Sequence, residues 1–171
     1  NRNHTIREYL NIIDELKKIN PSIKFSSDFI IEYPGETNSD FEETLKLLKR
    51  VEYINSYSYI FSPRPGTPAA KLKLIDKNIS KERLNHFQKI AEKIKINYKK
   101  SLFTKLAHVL FENRIGSESK FFGRDEYMNS VIVRSDENLI GKIKEVRITG
   151  GNQNTLLGVI KNKINSKNFA A

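Results

Sequence analysis

The sequence predicts two structural classes in succession: an α/β segment over about the first 100 residues, then a small all-β barrel of the OB-like kind. Three observations carry this reading. Apolar residues recur at helical spacing in three segments, separated by two short runs that suit buried strands. Beyond residue 100 the helical period stops and short strand-like runs follow one another. Gly116, Gly123, Gly141, Gly150-Gly151 and Gly158 punctuate those runs as turn and bulge residues do.

The first helix opens on Thr5 and Glu8, a capping box, and Asn20-Pro21 stops it. Ile6, Tyr9, Leu10, Ile13, Leu16 and Ile19 form its expected buried stripe. Lys24–Tyr33 reads as a strand around Phe29-Ile30-Ile31 and ends at the turn Pro34-Gly35-Glu36-Thr37. Thr37 with Asp40 caps a second helix, whose stripe is Phe41, Leu45, Leu48 and Val51. Ser56–Phe61 reads as the second strand, followed by a rigid loop, Ser62-Pro63-Arg64-Pro65-Gly66-Thr67-Pro68. A third helix, from about Ser80 to Lys100, places Leu84, Phe87, Ala91, Ile94 and Tyr98 on one face.

Alternation of helix and strand implies parallel pairing with right-handed crossovers. Two parallel strands cannot cover themselves, so this segment reads as the end of a larger α/β barrel. The expected domains are 1–100, the end of that barrel, and 101–165, the β-barrel, with a polar tail at 166–171. The barrel strands are expected at 106–111, 119–123, 130–134, 140–149 and 155–160.

Thirty Lys and Arg against 20 Asp and Glu give a net charge of +10, which suits a polyanion such as nucleic acid. The excess also fits a Lys-, Asn- and Ile-rich composition with solvated lysines. It concentrates between Lys71 and Arg114, where 12 cations face four anions. No cysteine is present, which excludes disulfides and any thiolate-held zinc or iron–sulfur cluster within this chain. The three histidines are too scattered to suggest a metal site. No apolar run approaches the roughly 18 residues of a membrane span, so no membrane partner is expected.

Two stretches carry the chemistry. Ser26-Ser27-Asp28-Phe29-Ile30-Ile31-Glu32-Tyr33-Pro34-Gly35-Glu36-Thr37 ends a strand where α/β barrels bind ligands. There Gly35 leaves room for a close approach, while Glu36 and Thr37 suit either a ligand or the helix N-cap. Phe61-Ser62-Pro63-Arg64-Pro65-Gly66-Thr67-Pro68-Ala69-Ala70 follows the next strand, with Arg64 as a contact for an anion or a base.

Together these blocks closely resemble the methylthiotransferase family of radical-SAM enzymes, with its S-D-F-I-V-G-F-P-G-E-T and Y-S-P-R-P-G-T-P-A-A patterns. Asn1-Arg2-Asn3-His4-Thr5 and Tyr9-Leu10 are similar to the family's N-R-x-H-T and Y-L. Arg64-Pro65 resembles the tRNA-acting branch. Gly123-Arg124, Tyr127-Met128 and Val131 resemble its isopentenyladenosine subgroup, with the threonylcarbamoyladenosine subgroup as the nearest alternative. The resemblance implies that the first 100 residues are the C-terminal part of a radical-SAM (β/α) partial barrel and that the β-barrel is an RNA-binding TRAM domain.

It further implies S-adenosylmethionine and two 4Fe-4S clusters in the full-length protein, held partly by a missing N-terminal half. The implied reaction is methylthiolation at carbon 2 of N(6)-dimethylallyladenosine beside the tRNA anticodon, in the cytoplasm. Ile30, Pro34, Gly35, Glu36, Phe61, Ser62 and Pro63 match the cofactor-facing strand ends. The tRNA anticodon stem-loop is the expected partner, met by Arg64, Lys99, Lys100, Lys105, Phe122, Arg124 and Tyr127. With no cluster cysteines, the fragment alone is expected to be inactive. A non-catalytic RNA-binding module or a decayed remnant is the other reading. Glu32 departs from the family, which usually has glycine there, and a carboxylate at that point is expected to crowd the cofactor or to cost desolvation.

Overall fold

A computed structural model describes residues 4–116 and 118–161. The opening Asn1-Arg2-Asn3 and the expected tail at 166–171 lie outside them. The chain divides into two compact units, Asn1–Lys95 and Ile96–Ala171.

In the first unit the order is α1 (Ile6–Ile19), β1 (Ser26–Ile31), α2 (Asn38–Val51), β2 (Asn55–Ile60), a 3-10 turn (Pro68–Lys71) and α3 (Lys77–Ser101), which runs on into the second unit. Reciprocal capping boxes start α1 at Thr5/Glu8 and α2 at Thr37/Asp40. Each satisfies backbone N–H groups that a helix start leaves without partners. β1 and β2 pair in parallel, Ser26 opposite Asn55 through Ile31 opposite Ile60. The core gathers Ile13, Ile31, Phe41, Leu45, Leu48, Val51, Tyr53 and Phe87 on one side of this pair. Tyr53 is buried and hydrogen-bonded to the Tyr9 hydroxyl at 2.7 Å; burial first, then this bond, pushes its ionisation well above the usual phenol range.

On the opposite face of the two strands Ile30, Tyr57 and Tyr59 are exposed. The expected α2 stripe is buried as read. The α1 stripe is not: only Ile13 is buried, while Ile6, Leu16 and Ile19 are exposed. Periodicity identifies an apolar face but not whether a neighbour covers it.

In the second unit β3 (Leu106–Ile115), β4 (Lys120–Arg124), β5 (Ser130–Arg134), β6 (Ile143–Gly151) and β7 (Thr155–Ile160) close a barrel in the order β3-β4-β5-β7-β6. Within the barrel, among the described residues, β5 and β7 are the one parallel pair. Closure gives each of these five strands a neighbour on both sides. Val109, Phe111, Phe121, Val131, Val133, Leu139, Val146, Ile148 and Leu156 fill the interior. β3 runs on past its expected end at Phe111 through a bulge between Phe111 and Asn113.

A buried polar network braces the β4–β5 turn. Asp125 accepts from the Tyr127 and Asn129 N–H groups and from the Asn129 amide, which also donates to the Tyr98 hydroxyl at 3.1 Å. Burial pushes the Tyr98 phenol up to about 12.

Candidate functional site

The end of β1 is built around two glutamates. Glu36 Oε2 accepts the Glu32 N–H at 2.6 Å and the Tyr33 N–H at 3.2 Å, so Glu36 ties the turn that holds Pro34 and Gly35. Burial raises the Glu36 carboxyl above its ordinary range, against the lowering effect of these two bonds; nearby Glu32 also raises it and Arg83 lowers it. Gly35 has φ 93°, a conformation glycine takes without steric cost. Pro34 is buried.

Glu32 does not offer its carboxylate to solvent. Its side chain is 1% exposed and lies 2.5 Å from Arg83 Nη1. The desolvation cost expected at this position is therefore offset inside the protein by a counter-charge from α3.

Ile30 from β1 meets Phe61, Ser62 and Arg64 from the β2 end in one cavity of about 530 Å³, completed by Tyr59, Ile60, Thr67 and Ala69. A second cavity of about 310 Å³ is lined by Phe61, Ser62 and Pro63 together with Glu32, Lys77 and Lys81. Four of the sequence-predicted residues thus converge on one cavity, whereas Pro34, Gly35 and Glu36 line neither. The first cavity has the size and the mostly apolar walls with a few polar groups that small-molecule sites share. Its lining sets apolar Ile30, Ile60 and Phe61 beside polar Ser62, Arg64 and Thr67. For an iron–sulfur cluster the fit fails: the chain has no thiolate, and among the described residues no group of three or more His, Asp or Glu could hold a metal.

In the barrel, alternation along β4 and β5 sends Phe121, Gly123, Val131 and Val133 inward. Lys120, Phe122, Arg124, Ser130, Ile132 and Arg134 share the outer face, with Phe122 opposite Ile132 and Lys120 opposite Arg134. The Arg124 guanidinium sits 5.3 Å from the Phe122 ring centroid and 3.3 Å from Glu112. Glu118 pairs with Lys120 at 2.6 Å and faces Arg134 at 3.8 Å. Three cations thus share two carboxylates beside a half-buried aromatic ring, an arrangement suited to stacking a base next to phosphates.

Lys100 and Lys105 are exposed, and Tyr127 is half-buried in the braced turn. Lys99 departs from expectation: it is only 5% exposed, and a buried ammonium does not meet a phosphate backbone. The sequence reading missed Lys120 and Arg134, although strict alternation with Phe122 would have found them. It also missed Arg83, for which no local signal exists.

Residues 106–161 match the TRAM domain family. Over 158 residues the chain is 51% identical to a tRNA-2-methylthio-N(6)-dimethylallyladenosine synthase of Pelagibacter ubique (strain HTCC1062), covering 92% of this chain and 35% of that protein. A protein of the same name from Wolbachia pipientis subsp. Culex pipiens (strain wPip) is 45% identical over 161 residues, 92% of this chain and 37% of its own length. One from Ehrlichia canis (strain Jake) is 38% identical over 164 residues, 94% of this chain and 37% of its own length. The chain thus spans little more than a third of the relatives it matches. No described helix is long and apolar enough to cross a membrane. The chain is a homologue of part of the tRNA-2-methylthio-N(6)-dimethylallyladenosine synthases, with a TRAM domain at residues 106–161.

Proposed function

We propose that this chain is the C-terminal part of a radical-SAM tRNA methylthiotransferase acting at carbon 2 of N(6)-dimethylallyladenosine beside the anticodon. The observation that carries the proposal is the convergence of Ile30 with Phe61, Ser62 and Arg64 on one strand-end cavity. In α/β barrels ligands bind at that end.

S-adenosylmethionine, when bound, supplies the radical and the methyl group. Ile30 and Phe61 would give its ring an apolar wall, Ser62 would offer a hydroxyl, and Arg64 would meet an anion or a base. Thiolates for the clusters must come from outside this chain. The N-terminal half is the partner for the part of that exposed face outside the cavity, at Tyr57, because a parallel pair needs both faces covered. Alone, the chain should not transfer a methylthio group.

The TRAM barrel holds the anticodon arm on its β4–β5 face, with Phe122 as the stacking platform and Arg124, Lys120 and Arg134 toward phosphate. Lys100, Lys105 and Tyr127 remain further contacts in this proposal. Fluorescence anisotropy with an anticodon stem-loop and the full-length protein tests it. If about three phosphates are neutralised, Kd should rise roughly 20- to 40-fold between about 50 and 200 mM salt. A change below about twofold would remove the phosphate contacts from the proposal.

A further inference from the structure

A buried charge cluster closes the end of β1. Glu32 has φ 65°, a left-handed backbone that suits glycine and strains a glutamate. Burying its carboxylate is costly unless a counter-charge reaches it. Arg83 supplies that charge: Nη1 lies 2.5 Å from Glu32 Oε1 and 3.9 Å from Glu36 Oε1. Nη2 of the same guanidinium donates to Asn38 Oδ1, and the group sits 5.3 Å from the Phe41 ring centroid. One guanidinium therefore fastens α3 to both carboxylates and to the first turn of α2.

We propose that Arg83 is a positioning residue for the strand-end site. It acts through Glu32 and Glu36, holding the turn between them in the shape that sets Ile30 on one side and Pro34-Gly35 on the other. Arg83 itself lines neither cavity. Without it, two buried carboxylates lose their common counter-charge and the turn opens. If Glu32 becomes glycine at the same time, the left-handed position is unstrained. Glu36 then keeps its two backbone donors, so the turn closes again. The inference about the ligand rests on the cavity being an S-adenosylmethionine site.

The test is a double-mutant cycle in the full-length protein: wild type, Arg83→Met, Glu32→Gly and the double variant. Calorimetric Kd for S-adenosylmethionine and the melting temperature are both read. Arg83→Met should weaken binding by about tenfold or more and lower the melting temperature. Adding Glu32→Gly should restore affinity to within about threefold of wild type. Arg83→Lys, which keeps the charge without the planar fork, should fall between wild type and Arg83→Met.

A double variant as impaired as Arg83→Met, or Arg83→Met within about twofold of wild type, overturns the proposal. If Arg83→Met does not fold, Arg83→Lys takes its place in the cycle under the same criteria. If the wild type binds no S-adenosylmethionine, the reading of the cavity fails by itself. The melting temperatures then judge the latch: recovery in the double variant supports it, and additive losses sink it.

Discussion

Gly123→Ala should cost the barrel about 2–3 kcal/mol or prevent its folding. A Cβ built on Gly123 would lie 2.4 Å from the Leu110 carbonyl oxygen and 2.7 Å from Val109 Cγ1. Gly123 sits in β4 between Phe111 of β3 and Val131 of β5, so it cannot move aside without breaking a ladder. The obstacle is largely backbone, and a backbone oxygen has no rotamer to change. Melting should fall by roughly 4–8 °C per kcal/mol lost in a domain of this size. Gly150→Ala is the control: nothing lies within 4 Å of its Cβ position, and its effect should stay within about 0.5 kcal/mol. Equal effects at the two positions would contradict the barrel packing described here.

Phe122→Ala should weaken anticodon stem-loop binding by about tenfold, since stacking on an aromatic ring is worth roughly 1–3 kcal/mol per base. Melting should hardly change, because Phe122 points outward from β4. Its neighbour behaves oppositely: Phe121 is 4% exposed in the core, and Phe121→Ala should cost about 3–5 kcal/mol. Arg124→Ala removes the cation beside Phe122 and a candidate phosphate contact, which should lower the salt slope of binding by about one. Unchanged RNA affinity in both Phe122→Ala and Arg124→Ala would move the RNA site off the β4–β5 face.

What the sequence revealed was local. Thr37 with Asp40, and the stripe from Phe41 to Val51, specify α2 within its own 14 residues, and the structure follows them. Strand-like runs punctuated by glycines located the barrel strands for the same reason, although the run expected at 140–149 is shifted to Ile143–Gly151. What it hid was tertiary. Lys99 stands in a basic run and reads as solvated, yet folding buries it. Leu16 and Ile19 read as core, yet Leu16 is only partly covered and Ile19 stays largely exposed. Glu32 read as an intruder at a glycine position. Its partner Arg83 lies on a distant helix, and only the fold brings the guanidinium to it. The bulge carries β3 on through Glu112, Asn113 and Arg114, past the end expected at Phe111.

The most direct measurement is the modified-nucleoside content of tRNA, by mass spectrometry, from cells with the gene carrying this chain deleted. Loss of the 2-methylthio nucleoside, with N(6)-dimethylallyladenosine accumulating in its place, is the expected result. An unchanged level of the 2-methylthio nucleoside would contradict the proposed reaction.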